Sequence, residues 1–218
     1  VGTDKPGLLF FESGTFEWTD GDGKKSTIKI EALESMDLTT SWMVSFPERS
    51  GAPPQLELAR LASLDKHTDQ GAKYFSGTAT YRKTFTVAQS MKKTNKRTYL
   101  DLGQVEVLAE IILNGKNLGV LWARPYRIDV TDAIKVGENT IEINVTNLWP
   151  NRLIGDEQVT EPYKYSPGAG GSGFASLGGG AILELPAWYQ QGLPKPDDGK
   201  ITFTTWKQPL HLNVFQRY

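Results

Sequence analysis

The sequence contains no cysteine, which excludes disulfides, thiolate nucleophiles and zinc–sulfur sites. Its 24 Lys+Arg against 25 Asp+Glu leave a net charge of −1. No basic surplus is available to neutralise a phosphate backbone, which argues against nucleic acid as a partner. No apolar run approaches the roughly 18 residues that a membrane span requires. The chain opens "VGTDKPG", with no initiator Met and no basic-then-apolar leader, and so reads as a processed chain or a fragment. What is abundant is glycine and proline, 22 and 12 in 218 residues, which points to many turns and little helix. The length suits one large domain or a domain with an appendage. It is enough to bury about 70% of the unfolded surface.

Strand signals dominate. In "TATYRKTFTV", Thr78–Val87, the even positions are polar while Ala79, Tyr81, Phe85 and Val87 are not. This period of two describes a strand with one wet and one dry face. Lys83 breaks the pattern and reads as a side chain snorkelling at an edge. "NTIEINVTN", Asn139–Asn147, sets Ile141, Ile143 and Val145 against Thr140, Glu142, Asn144 and Thr146. In "ILNGKNLGVLW", Asn114-Gly115 suits the positive φ angles of a type I′ turn between paired strands. "LLFFESGTFEWTDGDGKKSTIKIEAL" reads as two further strands around an Asp-Gly-Asp-Gly turn. No helical periodicity recurs between the strands, which argues against an α/β barrel or a doubly wound sheet. The expected fold is all-β, an antiparallel β-sandwich of jelly-roll or Greek-key type. "SPGAGGSGFASLGGG", Ser166–Gly180, holds seven glycines in fifteen residues and reads as a long loop.

Several motifs have ordinary explanations. Gly168, Gly170 and Gly173 spell G-x-G-x-x-G without the strand before and helix after that a dinucleotide fingerprint needs. Asp20, Asp22 and Glu31 have calcium-hand spacing, but Lys24 and Lys25 occupy a ligand and the obligatory glycine position. A hairpin turn is the better reading there. A structural calcium held elsewhere, partly by backbone carbonyls, stays open. His67 and His211 are the only histidines, and no G-x-S-x-G elbow accompanies them. Asp156 and Glu157 are adjacent, so in an extended segment they point apart and suit glycosidic cleavage poorly. Asn144-Val145-Thr146 fits a glycosylation sequon but lies within a strand.

"NLWPNRLIGDEQ", Asn147–Gln158, reads as an irregular segment after a strand. Pro150 ends the strand, Asn151 holds a turn through its own backbone, and Arg152 pairs with Asp156 or Glu157. Six Trp and eight Tyr offer faces on which sugar rings stack, and equally serve as core fillers.

Together, "KYFSGTATYRKTF", "LDLGQV", "AEIILNGKNLGVLWARPYRIDVTDAI" and "NLWPNRLIGDEQ" form an ordered series. That series resembles the C-terminal β-sandwich of glycoside hydrolase family 106, the α-L-rhamnosidase-like enzymes. The middle block is also similar to the galactose-binding-like, sugar-binding domain of family 2 glycosidases. The likeness spans roughly residues 45–207 and is densest over 73–157. After "FTTWK" the chain departs from the family, which puts the closing strand of the sandwich in doubt. The resemblance implies a bacterial periplasmic or extracellular enzyme acting on rhamnose-containing plant glycans. Its catalytic carboxylates would lie on a separate barrel domain, helped by a bound calcium, so no catalytic residue maps here.

The expected organisation is a small β segment over 1–44, a galactose-binding-like sandwich over 45–165, and a Gly-rich loop with C-terminal extension over 166–218. The expected role is non-catalytic: packing against the parent's catalytic domain and presenting carbohydrate contacts. Those contacts are Trp122, Tyr126, Trp149, Asn151, Arg152 and Asp156, the aromatics stacking and the polar groups bonding hydroxyls. An independent carbohydrate-binding module would need an exposed aromatic platform. A self-sufficient hydrolase would need two convergent carboxylates in a cleft. A purely structural domain would show neither.

Overall fold

The computed structural model describes residues 8, 10–31, 34–92, 96–159, 164, 183–194 and 200–202. The glycine-rich stretch 166–180, the closing segment after residue 202 and His211 lie outside the described residues. The chain divides into two compact units, Val1–Leu38 and Thr39–Tyr218.

The smaller unit is a hairpin of β1 (Gly14–Thr19) and β2 (Lys25–Ile30). Asp20 closes its turn: Oδ1 accepts from the N–H groups of Asp22 at 3.1 Å and Lys24 at 2.9 Å. The acidic run at 20–22 thus caps its own backbone, as Asx turns do. Cross-strand register puts Phe16 opposite Ile28 and Trp18 opposite Ser26, on one face. Phe10 packs there, its ring 4.6 Å from that of Phe16 and 6.5 Å from that of Trp18.

In the larger unit the strands run β3 (Thr40–Ser45), β4 (Gln55–Arg60), β5 (Thr78–Val87), β6 (Tyr99–Asp101), β7 (Leu108–Leu113), β8 (Lys116–Leu121), β9 (Arg127–Asp129) and β10 (Gly137–Thr146). Among the described residues a short α-helix, α1 (Gln70–Lys73), lies between β4 and β5, and two more, α2 (Pro150–Glu157) and α3 (Ala187–Gln190), follow β10. Six strands make one antiparallel sheet in the order β4-β3-β5-β10-β7-β8, and β6 pairs with β9 in a shorter one. The fold is therefore an all-β antiparallel sandwich. Backbone bonds from Leu102 N to Tyr126 O and from Val130 N to Thr98 O extend the shorter layer at both ends.

Register explains the core. Val44 faces Tyr81, Tyr81 faces Ile143, and Ile143 faces Ile111, so four strands contribute to one apolar row. Alternation carries Trp42, Ala79, Phe85, Ala109, Leu113 and Ile141 to the same side, all buried. Each such large side chain removed from water stabilises the fold by about 1.5–3 kcal/mol. Lys83 falls on this apolar side, opposite Ile141. Its ammonium donates to the Thr40 carbonyl and sits 6.0 Å from the centre of the Trp42 ring. The period-of-two exception is thereby accommodated by snorkelling toward β3.

The other side is polar and cross-linked. Arg82 pairs with Glu142 at 2.7 Å, Thr80 donates to Asn144 Oδ1 at 2.8 Å, and Asn144 Nδ2 donates to Glu110 at 3.0 Å. The sequon asparagine thus spends its amide on a strand-to-strand bond. At the β7–β8 hairpin both Asn114 (φ 52°) and Gly115 (φ 79°) have positive φ, as a type I′ turn demands.

One local expectation is corrected. The segment at 147–158 is not irregular but contains α2. Pro150 stands at the first helical position, where its fixed φ favours the helix and its missing N–H loses nothing. The chain leaves β10 at Thr146, four residues earlier, so Pro150 starts an element rather than ending the strand.

Candidate functional site at one end of the sandwich

The sheet gathers several exits at one end. Leu121, the last residue of β8, faces Ala109 near the start of β7, which faces Val145 near the end of β10. Chain leaving β8, chain leaving β10 and chain entering β7 therefore emerge together. The β8 exit carries Trp122, 76% exposed, and the β10 exit carries Leu148 and Trp149, the latter 62% exposed. Large aromatics left in water at such levels are a departure from core packing.

Between β8 and β9 the chain passes Arg124 and Pro125, joined by a cis peptide, to the buried Tyr126. These three, with Asp101, Gly103 and Gln104 at the end of β6, line an open cleft of about 520 Å³. The Tyr126 hydroxyl donates to the carbonyl of Val107, just before β7, at 3.2 Å, so the cleft floor is tied to the main sheet. Asp101 Oδ2 accepts from Arg127 Nε at 2.9 Å and Nη2 at 2.5 Å, while Oδ1 accepts from Gly103 N–H at 2.8 Å. The Arg127 guanidinium, followed by that N–H, holds the Asp101 carboxyl below its ordinary value of 3.8. Gln104 Nε2 donates to Glu106 at 2.7 Å.

Acid should loosen this corner. At Asp129 burial works against the charge, but bonds from the Thr131 hydroxyl and N–H and the charge of Arg97 outweigh it, and the carboxyl is lowered. Carboxyls lowered in the folded state add stability that is fully present above their unfolded values. That stability is lost as pH falls through the lower folded values. The thermal midpoint should therefore decline as pH drops below about 4, and Asp101→Asn should flatten that decline. An unchanged slope in the variant would remove Asp101 from the account.

The helix α2 does different work. Asn151, Arg152 and Asp156 are all buried. Arg152 Nε approaches Asp156 Oδ1 to 2.9 Å, an ion pair by distance, although that N–H is not aimed at the oxygen and makes no hydrogen bond. Asp156 also accepts from Ile201 N at 3.0 Å, Thr202 N at 2.7 Å and the Thr202 hydroxyl at 2.6 Å. Asn147, in the β10–α2 link, accepts from Gly77 N and donates to Phe75 O, and Arg152 N donates to Ser76 Oγ. Its amide reaches across to the chain before β5, fixing where α2 begins.

Of the residues expected from the sequence, Tyr126 lines the cleft, Trp122 stands on the same connection two residues before Arg124, and Trp149 emerges at the same end of the sheet. Asn151, Arg152 and Asp156 lie in the interior, facing protein. Asp101, Gln104 and Arg124 were missed, although "LDLGQV" and "ARPYR" contain them. A polar side chain beside a structural glycine or proline was the available signal. Among the described residues the cleft lining includes one carboxylate, Asp101, already paired with Arg127, whereas glycosidic hydrolysis uses two opposed carboxyls. Among the described residues, no three His, Asp or Glu side chains converge as metal ligands would. No helix among them is long and apolar enough to cross a membrane.

Known proteins resemble this chain over 36–89% of its length. A curated protein of Formosa agariphila named "Putative beta-glucuronidase" is 38% identical over 195 residues, 89% of this chain but 16% of that protein. A second protein of the same name and organism is 37% identical over 84 residues, 36% of this chain and 8% of its own length. The structure of a rhamnosidase from Novosphingobium sp. PP1Y is 42% identical, with a TM-score of 0.53, covering 64% of this chain and 14% of that enzyme. The chain thus spans well under a fifth of the length of these relatives. Residues 63–174, from the turn before α1 through β10 and α2, match the family described as "Glycosyl hydrolase 2 galactose-binding domain-like", and the chain belongs to it.

Proposed function

We propose that the chain is a non-catalytic, carbohydrate-contacting sandwich of a larger α-L-rhamnosidase-like glycoside hydrolase. That enzyme would act on rhamnose-containing plant glycans in the periplasm or outside the cell. The observation that carries this reading is the pair of exposed tryptophans, Trp122 and Trp149, emerging at the same end of the sheet as the cleft. The 42% identity to the Novosphingobium rhamnosidase favours this parent class. The fraction of each relative that the chain spans fits one module beside a separate catalytic domain. Within the module the division of labour is physical. Trp122 and Trp149 offer apolar ring faces to sugar C–H groups, the cleft offers the Arg124 guanidinium, and α2, which starts directly after Trp149, is held to the sandwich through Ser76.

The test is intrinsic tryptophan fluorescence of the 218-residue chain, titrated with L-rhamnose and rhamnose-bearing pectic oligosaccharides. A saturable change is expected, and Trp122→Ala should weaken it about tenfold or more, the scale of a truncated aromatic anchor. Its side chain is exposed, so the variant should unfold at the temperature of the parent protein. A flat response to millimolar sugar would leave a purely structural domain.

A further inference from the structure

We infer that the cleft between β6 and the β8–β9 connection takes a carboxylated sugar, a uronic-acid residue, with Arg124 gripping its carboxylate. This rests on the reading that this end of the sandwich contacts glycan, and it narrows the ligand class.

The argument is one of used and unused hydrogen-bonding capacity. Asp101 is occupied on both oxygens by Arg127 and Gly103, and Gln104 directs its amide nitrogen to Glu106. Tyr126 spends its hydroxyl proton on Val107. Arg124 differs from all of these. It lines the cleft, is exposed, and makes no hydrogen bond or ion pair among the described residues.

A guanidinium carries five donors in a rigid plane and no acceptor. A neutral hydroxyl can take only single bonds from it, whereas a carboxylate takes two parallel, charge-assisted ones. The negative charges nearby do not repel such a ligand strongly. Asp101 is offset by Arg127 at 2.5 Å, and the negative charge that Glu106 keeps beneath its bond from Gln104 is matched by the positive charge of Arg124. The cleft, of about 520 Å³, is open to solvent, so one residue of a longer glycan can reach Arg124 from the side. Trp122, two residues before Arg124 and exposed, offers a ring face on the same connection.

The experiment is calorimetric titration of the full chain with galacturonate di- and trisaccharides. The matching galactose oligosaccharides, which differ only at C6, serve as the neutral series. The acidic series should bind about tenfold tighter or better at low salt, and the margin should shrink as salt is added. Arg124→Gln should remove the margin, and Arg124→Lys should restore only part of it, because an ammonium lacks the planar fork. Equal affinity of the parent protein for both series would overturn the acidic-sugar inference and leave the glycan reading standing. So would an acid preference that survives Arg124→Gln. Binding of neither series at millimolar concentration would overturn this inference, and the rhamnose titration above decides the glycan reading separately.

Discussion

Asp156→Ala is expected to destabilise the larger unit by about 3–5 kcal/mol, the scale of a buried ion pair broken from one side. At roughly 2–4 °C per kcal/mol for a unit of this size, the thermal midpoint falls by about 10 °C. The carboxylate is 1% exposed and meets four partners at once: the Arg152 guanidinium, two backbone N–H groups and a hydroxyl. Removing it strands a buried cation whose Nε has no hydrogen bond of its own. It also frees two N–H groups at residues 201 and 202. Arg152→Met leaves a different remainder. Asp156 keeps three donors, and the methionine stem retains much of the packing, so that variant should lose only about 1–3 kcal/mol. The order of the two is the test, measured by thermal and denaturant unfolding of the full chain. Equal losses, or a larger loss for Arg152→Met, would mean that the ion pair rather than the clamp on residues 201–202 carries the energy.

That clamp also marks where sequence reasoning ends. The strands β5 and β10 were legible because one face of each is buried and the other wet, and a period of two records that directly. The β7–β8 turn was legible because Asn-Gly tolerates positive φ at two successive positions. The helix α2 was not. Its eight residues include Pro150, Asn151 and Gly155, and its stability comes from Asp156 bonding to backbone 45 and 46 residues away. No local pattern encodes such a contact. The same reason made Arg152 and Asp156 look available to a sugar, whereas they face the interior.

The cleft was illegible for a related cause. Asp101 and Arg124 line one cleft only because two three-residue strands, β6 and β9, pair Asp101 with Arg127 across 26 residues of chain. Strands that short carry almost no periodic signal. The aromatic count, by contrast, was visible from the start. Only the structure separates Trp42, 3% exposed in the core, from Trp122 at 76%.

Asn139→Ala should be the other severe substitution. This side chain is 1% exposed and satisfies its whole hydrogen-bonding inventory. Nδ2 donates to Lys135 O at 2.7 Å and Gly137 O at 2.9 Å, while Oδ1 accepts from Lys135 N at 3.0 Å and Asn114 Nδ2 at 2.8 Å. Asn114 in turn donates to Ala133 O and accepts from Thr140 N. One amide therefore joins the β7–β8 turn to the loop that starts β10. Alanine takes the partner from two donors and two acceptors around a buried position, a loss of about 3 kcal/mol. The midpoint should fall by about 6–12 °C.

Asn139→Asp sharpens the test. It keeps the shape but points an acceptor at two carbonyls, so the folded state disfavours its charge and raises its pKa. A carboxyl raised in the folded state is least harmful below its unfolded value, and its penalty grows as pH rises through that value. Relative to the parent protein at the same pH, the Asn139→Asp protein should be weakest near neutrality and recover on acidification. Asn139→Ala should show no such dependence. If the two variants run parallel with pH, the carbonyls of Lys135 and Gly137 do not face this side chain, and the network that ties the turn to β10 would have to be redrawn.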